Sequence, residues 1–78
     1  MRIMRLRLPS HEVVEIVANG GGVSIDAVMY EVTELMSIVA QAKSPEQLVV
    51  IRNAAMRLDQ TDRVKLVAQA TCRVLLEL

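Results

Sequence analysis

The chain has 78 residues, with nine basic and nine acidic side chains and no net charge. This length allows a single domain, and the balanced charge excludes a strong global field that would attract nucleic acid. Charges interrupt every apolar run, so no membrane span is expected, and a single cysteine predicts a reducing, cytoplasmic location. Hydrophobic residues make up 53% of the chain. A compact monomer of this size does not easily bury so much, so we expect apolar surface to face another copy.

The first nine residues alternate in character and stop at Pro9. In an extended strand, alternate side chains point to opposite faces. The two faces would carry Met4, Leu6 and Leu8 on one side, and Ile3, Arg5 and Arg7 on the other. The sequence therefore predicts a short strand with an apolar face and a mainly basic face.

Two helices are predicted after this strand. Pro9 and Ser10 can start a helix that runs to Ala18, and the asparagine and glycines of residues 19–22 end it. Ser24 is predicted to cap a second helix that continues to about Ala42. Its apolar stripe would contain Val28, Val32, Leu35, Met36 and Val39, widened by Met29 and Ile38.

The remaining residues predict a helical hairpin. Serine, proline and glutamine in residues 44–47 have the spacing of a capping box, which starts a helix ending near Leu58. A last helix is predicted from Asp62 to near Leu78, antiparallel to the third because the connection is short. Its inward residues would be Val64, Val67, Thr71, Val74, Leu75 and Leu78. No internal repeat is apparent.

The order of a strand, a short helix, a glycine turn and a longer helix carries a family resemblance. The residues concerned are Leu6-Arg7-Leu8-Pro9, Val13, Ile16, Ser24-Ile25-Asp26 and Met29-Tyr30. Over residues 2–42 the chain resembles the ribbon-helix-helix family of DNA-binding proteins, in its Arc and Mnt phage-repressor branch. Residues 44–78 lie outside the resemblance. It implies a mainly α fold in which two chains pair their N-terminal strands into a ribbon that enters the major groove.

The resemblance also implies roles for particular residues. Arginine can donate two hydrogen bonds to guanine, and a helix N-terminus offers free backbone N–H groups to a phosphate. The expected base contacts are Ile3, Arg5 and Arg7, and the expected phosphate contacts are Arg2, Ser24 and Ile25. The expected dimer core consists of Met4, Leu6, Leu8, Met29 and Tyr30.

Two functions remain open at this point. The first is a homodimeric or tetrameric DNA-binding repressor, in which residues 1–42 read double-stranded DNA and residues 44–78 build the oligomer or receive a protein partner. The second is an all-helical protein-interaction module, such as an anti-activator, antitoxin or adaptor, without DNA binding. No arrangement of serine, histidine and acid predicts catalysis, and no ligand spacing predicts a metal. We therefore expect no enzymatic activity and no cofactor.

Overall fold

The computed structural model describes residues 8–78 in full and residues 3–5 as backbone only. Within these residues, four parallel strands form one sheet in the order of the chain. The strands are β1 (Ile3–Arg5), β2 (Gly22–Asp26), β3 (Leu48–Arg52) and β4 (Arg73–Leu76). The connections contain the helices α1 (Ser10–Ala18), α2 (Val32–Ala40) and α3 (Gln60–Gln69), and two short 3₁₀ turns, Ala27–Met29 and Ala54–Met56.

The register of the sheet explains why these segments are strands. Branched residues are favoured in strands because they pack well on a pleated surface. Val23 lies beside Val49, which lies beside Val74, and two positions along, the same pairing joins Ile25, Ile51 and Leu76. These two apolar rows form the face of the sheet that joins the core.

All three helices lie on that same face. A right-handed crossover between neighbouring parallel strands places its helix on one side of the sheet, and repeating the step in chain order keeps the same side. Consistent with this, α1 packs against α2, and α2 packs against α3. The alternate strand residues, among them Ser24, Val50 and Leu75, lie on the other face and outside the core cluster. In the part of the chain that the structure describes, helices therefore cover this parallel sheet on one side only.

The prediction for the first helix is confirmed. It spans Ser10–Ala18, with Asn19 at its C-cap and Gly20 in the left-handed region at φ +99°. The next residue approaches the helix closely, because a Cβ added to Gly21 would lie 2.6 Å from Ile16 Cγ2. The glycine turn thus lets the chain double back from α1 directly into β2.

The predicted mainly α fold is wrong, because the described chain is α/β. The second helix was expected to begin at Ser24, but the chain forms β2 and a 3₁₀ turn there, and α2 begins only at Val32. The expected third helix is β3 with its following turn, and the last helix ends at Gln69 so that β4 can form. The C-terminal helical hairpin is therefore also wrong. The expected ribbon between chains is wrong too, because β1 pairs in parallel with β2 of the same chain.

The structure also contains a repeat that sequence reasoning missed. β2 and β3 are each followed by a 3₁₀ turn and then by a helix. The two turns contact each other, and Ala27 and Ala54 are both buried at their starts. Asn53 precedes the second turn in the left-handed region, with φ +57°, and donates from Nδ2 to Asp26 Oδ1 at 3.2 Å. Two units with the same order of strand, 3₁₀ turn and helix thus lie side by side.

Candidate functional site

A cleft of about 370 Å³ between α1 and α2 brings a serine and a carboxylate together. Ser10 donates its hydroxyl hydrogen to Glu34 Oε2, and the backbone N–H of Glu31 donates to Glu34 Oε1. The Glu31 amide first, and the Ser10 hydroxyl second, lower the pKa of the Glu34 carboxyl. A carboxylate with a lowered pKa is a weak base, so the pair does not activate Ser10 as a nucleophile. Its role is to cap α2, where Glu31 and Glu34 form a capping box.

A second polar cluster lies where β2 and β3 end. The carboxyl ends of parallel strands are the common place for ligand sites in α/β proteins. Here the side chains are engaged with the chain itself: Arg57 Nη2 donates to the carbonyl of Val28 at 2.9 Å, and Arg52 Nε donates to Ser24 Oγ at 3.1 Å. These bonds hold the two 3₁₀ turns and the strands together. The cluster is therefore structural.

The third candidate site is an apolar groove between α3 and the end of β4. It has a volume of about 510 Å³ and is lined by Gln60, Arg63, Val64, Val67, Ala68, Leu76 and Leu78. The exposed fractions of Val64, Val67 and Leu78 are 57%, 50% and 75%. Large aliphatic side chains so exposed, and gathered on one surface, are typical of an interaction site. We call these seven residues the α3–β4 groove.

The groove lies beside an unpaired strand edge. Among the described strands, β4 is last in the sheet and pairs only with β3. An open edge of this kind presents backbone N–H and C=O groups that can pair with another chain. Leu75, on the helix-free face of β4, is 49% exposed. The α3–β4 groove and the edge of β4 together form the candidate site.

The predicted phosphate contacts lie elsewhere than expected. Ser24 and Ile25 are in β2, where both are buried, so the helix N-terminus predicted there is wrong. The phosphate contact predicted for these two residues therefore lacks the free backbone N–H donors of a helix N-terminus.

The predicted dimer-core residues are partly brought together, but within one chain. Tyr30 is buried and donates its hydroxyl hydrogen to the carbonyl of Leu8 at 2.5 Å. Burial, more than any other cause, raises the pKa of the Tyr30 phenol. Leu8 packs against the same core, whereas Met29 is half-exposed on the first 3₁₀ turn.

The predicted base-contact residues are not described by their side chains. The backbone of β1 places Ile3 beside Gly22 and Arg5 beside Ser24. The predictions for Arg2, Leu6 and Arg7 lie outside the described residues, as do those for the side chains of Ile3, Met4 and Arg5. DNA contact by these residues stays a prediction.

Sequence reasoning assigned the residues of the groove to the core. Val64, Val67 and Leu78 were predicted to point inward on a helix that continued to the end of the chain. The strand that replaces the end of that helix leaves them exposed. The only signal for this surface was the high aliphatic content, which indicates a surplus of apolar area without saying where it lies.

Comparison with known proteins identifies no relative of this chain. No family model, curated protein or solved structure matches the chain. Within the described residues, no group of three or more histidines, cysteines and acids could hold a metal ion. No helix in the same part of the chain is long and apolar enough to cross a membrane.

Proposed function

We propose that this protein is a non-enzymatic protein-interaction module that binds a polypeptide at the α3–β4 groove and the adjoining strand edge. The observation that carries the proposal is the exposed aliphatic surface of Val64 and Val67 beside the outer edge of β4, which pairs with no described strand except β3 on its other side. Burying such side chains contributes about 25 cal/mol for each Å² of apolar area removed from water. Backbone groups at a free strand edge add hydrogen bonds in the manner of β-augmentation.

This proposal takes up the second of the two functions that the sequence left open, the protein-interaction module, and drops its all-helical form. The cytoplasmic location also stays a prediction, which rests on the single free thiol of Cys72. Burial raises the pKa of that thiol, so its reactive thiolate form is disfavoured. A structural role for Cys72 at the start of β4 fits an interaction module better than redox chemistry does.

A substitution in the groove tests the proposal. Val67→Lys places a charge in the centre of the apolar surface. The measurement is affinity capture with a tagged copy of the protein, from an extract of the source cells supplemented with an untagged copy of the unmodified chain. A tagged Val67→Lys protein should recover no bound polypeptide. Because Val67 is half-exposed, folding stability should change by no more than about 0.5 kcal/mol.

The matched control is Val28→Lys, which introduces the same side chain at an exposed valine of the first 3₁₀ turn. This variant should retain the polypeptide that the unmodified protein binds. Equal recovery with Val67→Lys would contradict the proposed surface. Failure of the unmodified protein to retain either its own untagged copy or another polypeptide would contradict the function.

A further inference from the structure

The hydrogen bonds of β4 show which of its residues face the free edge. The N–H of Arg73 donates to the carbonyl of Gln47, and that of Glu77 to the carbonyl of Ile51, both at 2.9 Å and both toward β3. Successive residues of a strand direct their backbone groups to opposite sides. The N–H and C=O groups of Val74 and Leu76 therefore point away from β3, toward the side where no described strand lies.

We propose that the partner at this edge is a second copy of the chain, whose β4 pairs antiparallel with β4 around a twofold axis at Leu75. This inference rests on the proposed interaction function and names its partner. Twofold symmetry is the commonest arrangement of soluble homo-oligomers, and it makes two identical strand edges antiparallel. The two sheets would then continue as one across the axis.

Backbone geometry restricts the register. In an antiparallel pair, residues that lie opposite each other either both bond across the pair or both do not. Since Val74 and Leu76 are the bonding positions, the axis can pass through Val74, Leu75 or Leu76, but not between two residues. Each of these registers sets different side chains opposite each other.

Charge complementarity selects the register at Leu75. In that register Arg73 lies opposite Glu77 of the second copy, and the reverse pair forms on the other side of the axis. An axis at Val74 would set Arg73 opposite the second copy's Leu75, and an axis at Leu76 would set Glu77 opposite Leu75. Opposite charges placed directly across a strand pair stabilise it, and like charges destabilise it. The strand is thus self-complementary in one register only.

The helix side of the sheet fits the same axis. In this register Val74 lies opposite Leu76 of the second copy, so both central pairs are apolar. The helices of each copy lie on the same face of its sheet, so in this register α3 of both copies would lie on one side of the joined sheet. The exposed side chains of Val64 and Val67 on α3 would then lie on the same side as the apolar central pairs.

Charge reversal and its rescue test the register. Sedimentation velocity with the full chain should show a dimer that Arg73→Glu and Glu77→Arg each weaken by about tenfold or more, because each single change creates two like-charge pairs across the axis. The double variant Arg73→Glu/Glu77→Arg restores opposite charges and should recover the affinity of the unmodified protein. Lys65→Glu, on an exposed position of α3 outside the groove, is the matched control and should dimerise normally.

The possible outcomes distinguish a failure of the β4 self-pairing from a failure of the proposed interaction function. A dimer whose affinity is unaffected by the single reversals, or is not recovered in the double variant, would overturn the register. A chain that stays monomeric up to millimolar concentration would overturn self-pairing. If that monomer still retained another polypeptide, and Val67→Lys abolished this binding, the interaction function would stand with a different partner. If the monomer retained no other polypeptide, both the self-pairing and the interaction function would be contradicted.

Discussion

Replacing Gln47 with alanine is expected to lower the free energy of unfolding by about 3 kcal/mol or more. Gln47 is only 1% exposed, and every polar atom of its side chain is bonded. Its Oε1 accepts from the backbone N–H groups of Lys43 and Ser44, each at 2.7 Å. Its Nε2 donates to the carbonyls of Val17 and Gly21, at 2.7 and 3.0 Å.

The size of this effect follows from the groups that the substitution would leave behind. Gln47 connects the loop before β3 to the end of α1 and the turn into β2, so its removal takes a hydrogen-bond partner from groups in three segments. The carbonyl of Val17 keeps the N–H of Gly20 as a donor, whereas the N–H groups of Lys43 and Ser44 lose the acceptor that they share. Each buried polar group left unsatisfied costs about 1–3 kcal/mol. The lost side-chain volume adds a cavity cost to this sum.

Urea unfolding followed by circular dichroism measures the change. Gln69→Ala is the control, because Gln69 is exposed at the end of α3 and should change the stability by no more than about 0.5 kcal/mol. Gln47→Glu keeps the shape but sets a carboxylate oxygen against two carbonyls, so it should also destabilise strongly. A Gln47→Ala protein within 1 kcal/mol, roughly, of the unmodified protein would contradict the network.

Replacing Ile25 with alanine is expected to destabilise the fold by about 2–5 kcal/mol, the usual cost of truncating a buried isoleucine. Ile25 is 0% exposed, and it packs in the central apolar row of the sheet beside Ile51. Val28, by contrast, is 39% exposed on a 3₁₀ turn. Val28→Ala should therefore change the stability by no more than about 0.5 kcal/mol.

This pair of substitutions separates the parallel sheet from the helix that periodicity predicted. In a helix starting at Ser24, Val28 lies on the apolar stripe and Ile25 lies in the first turn near solvent. The two models thus rank the variants in opposite order. Chemical denaturation of both proteins measures the ranking, and a larger loss for Val28→Ala than for Ile25→Ala would contradict the sheet.

Local signals predicted some elements well. α1 has the predicted bounds because its proline start and its glycine stop are both encoded within a few residues. Asp59 accepts from the N–H of Asp62 and caps α3, close to the start predicted for the last helix. Interactions within one turn of chain depend on adjacent residues, so the sequence shows them directly.

The segment around Gln47 shows why local signals were not sufficient. Gln47 Oε1 does accept from the N–H of Ser44, which is one half of the predicted capping box. No helix follows, because Leu48–Arg52 pairs with neighbours more than twenty positions away on each side. A short apolar run of this kind is compatible with either a buried strand or a helix, and its spacing alone does not decide between them.

The candidate site was not predictable for a related reason. Val67 becomes a surface residue only because the chain leaves α3 at Gln69 and returns as β4. That return is stabilised by non-local pairing, in which Val74 lies beside Val49. Composition indicated that apolar surface would remain for a partner, but its location depends on strand order, which one sequence does not reveal.

Hydrogen exchange at β4, followed residue by residue by nuclear magnetic resonance at several protein concentrations, tests the central claim most directly. The amides of Arg73 and Glu77 bond to β3 and should be protected at every concentration. The amides of Val74 and Leu76 should exchange rapidly in the monomer and become protected only where the dimer forms. Rapid exchange of Val74 and Leu76 in a fully formed dimer would contradict pairing at this edge.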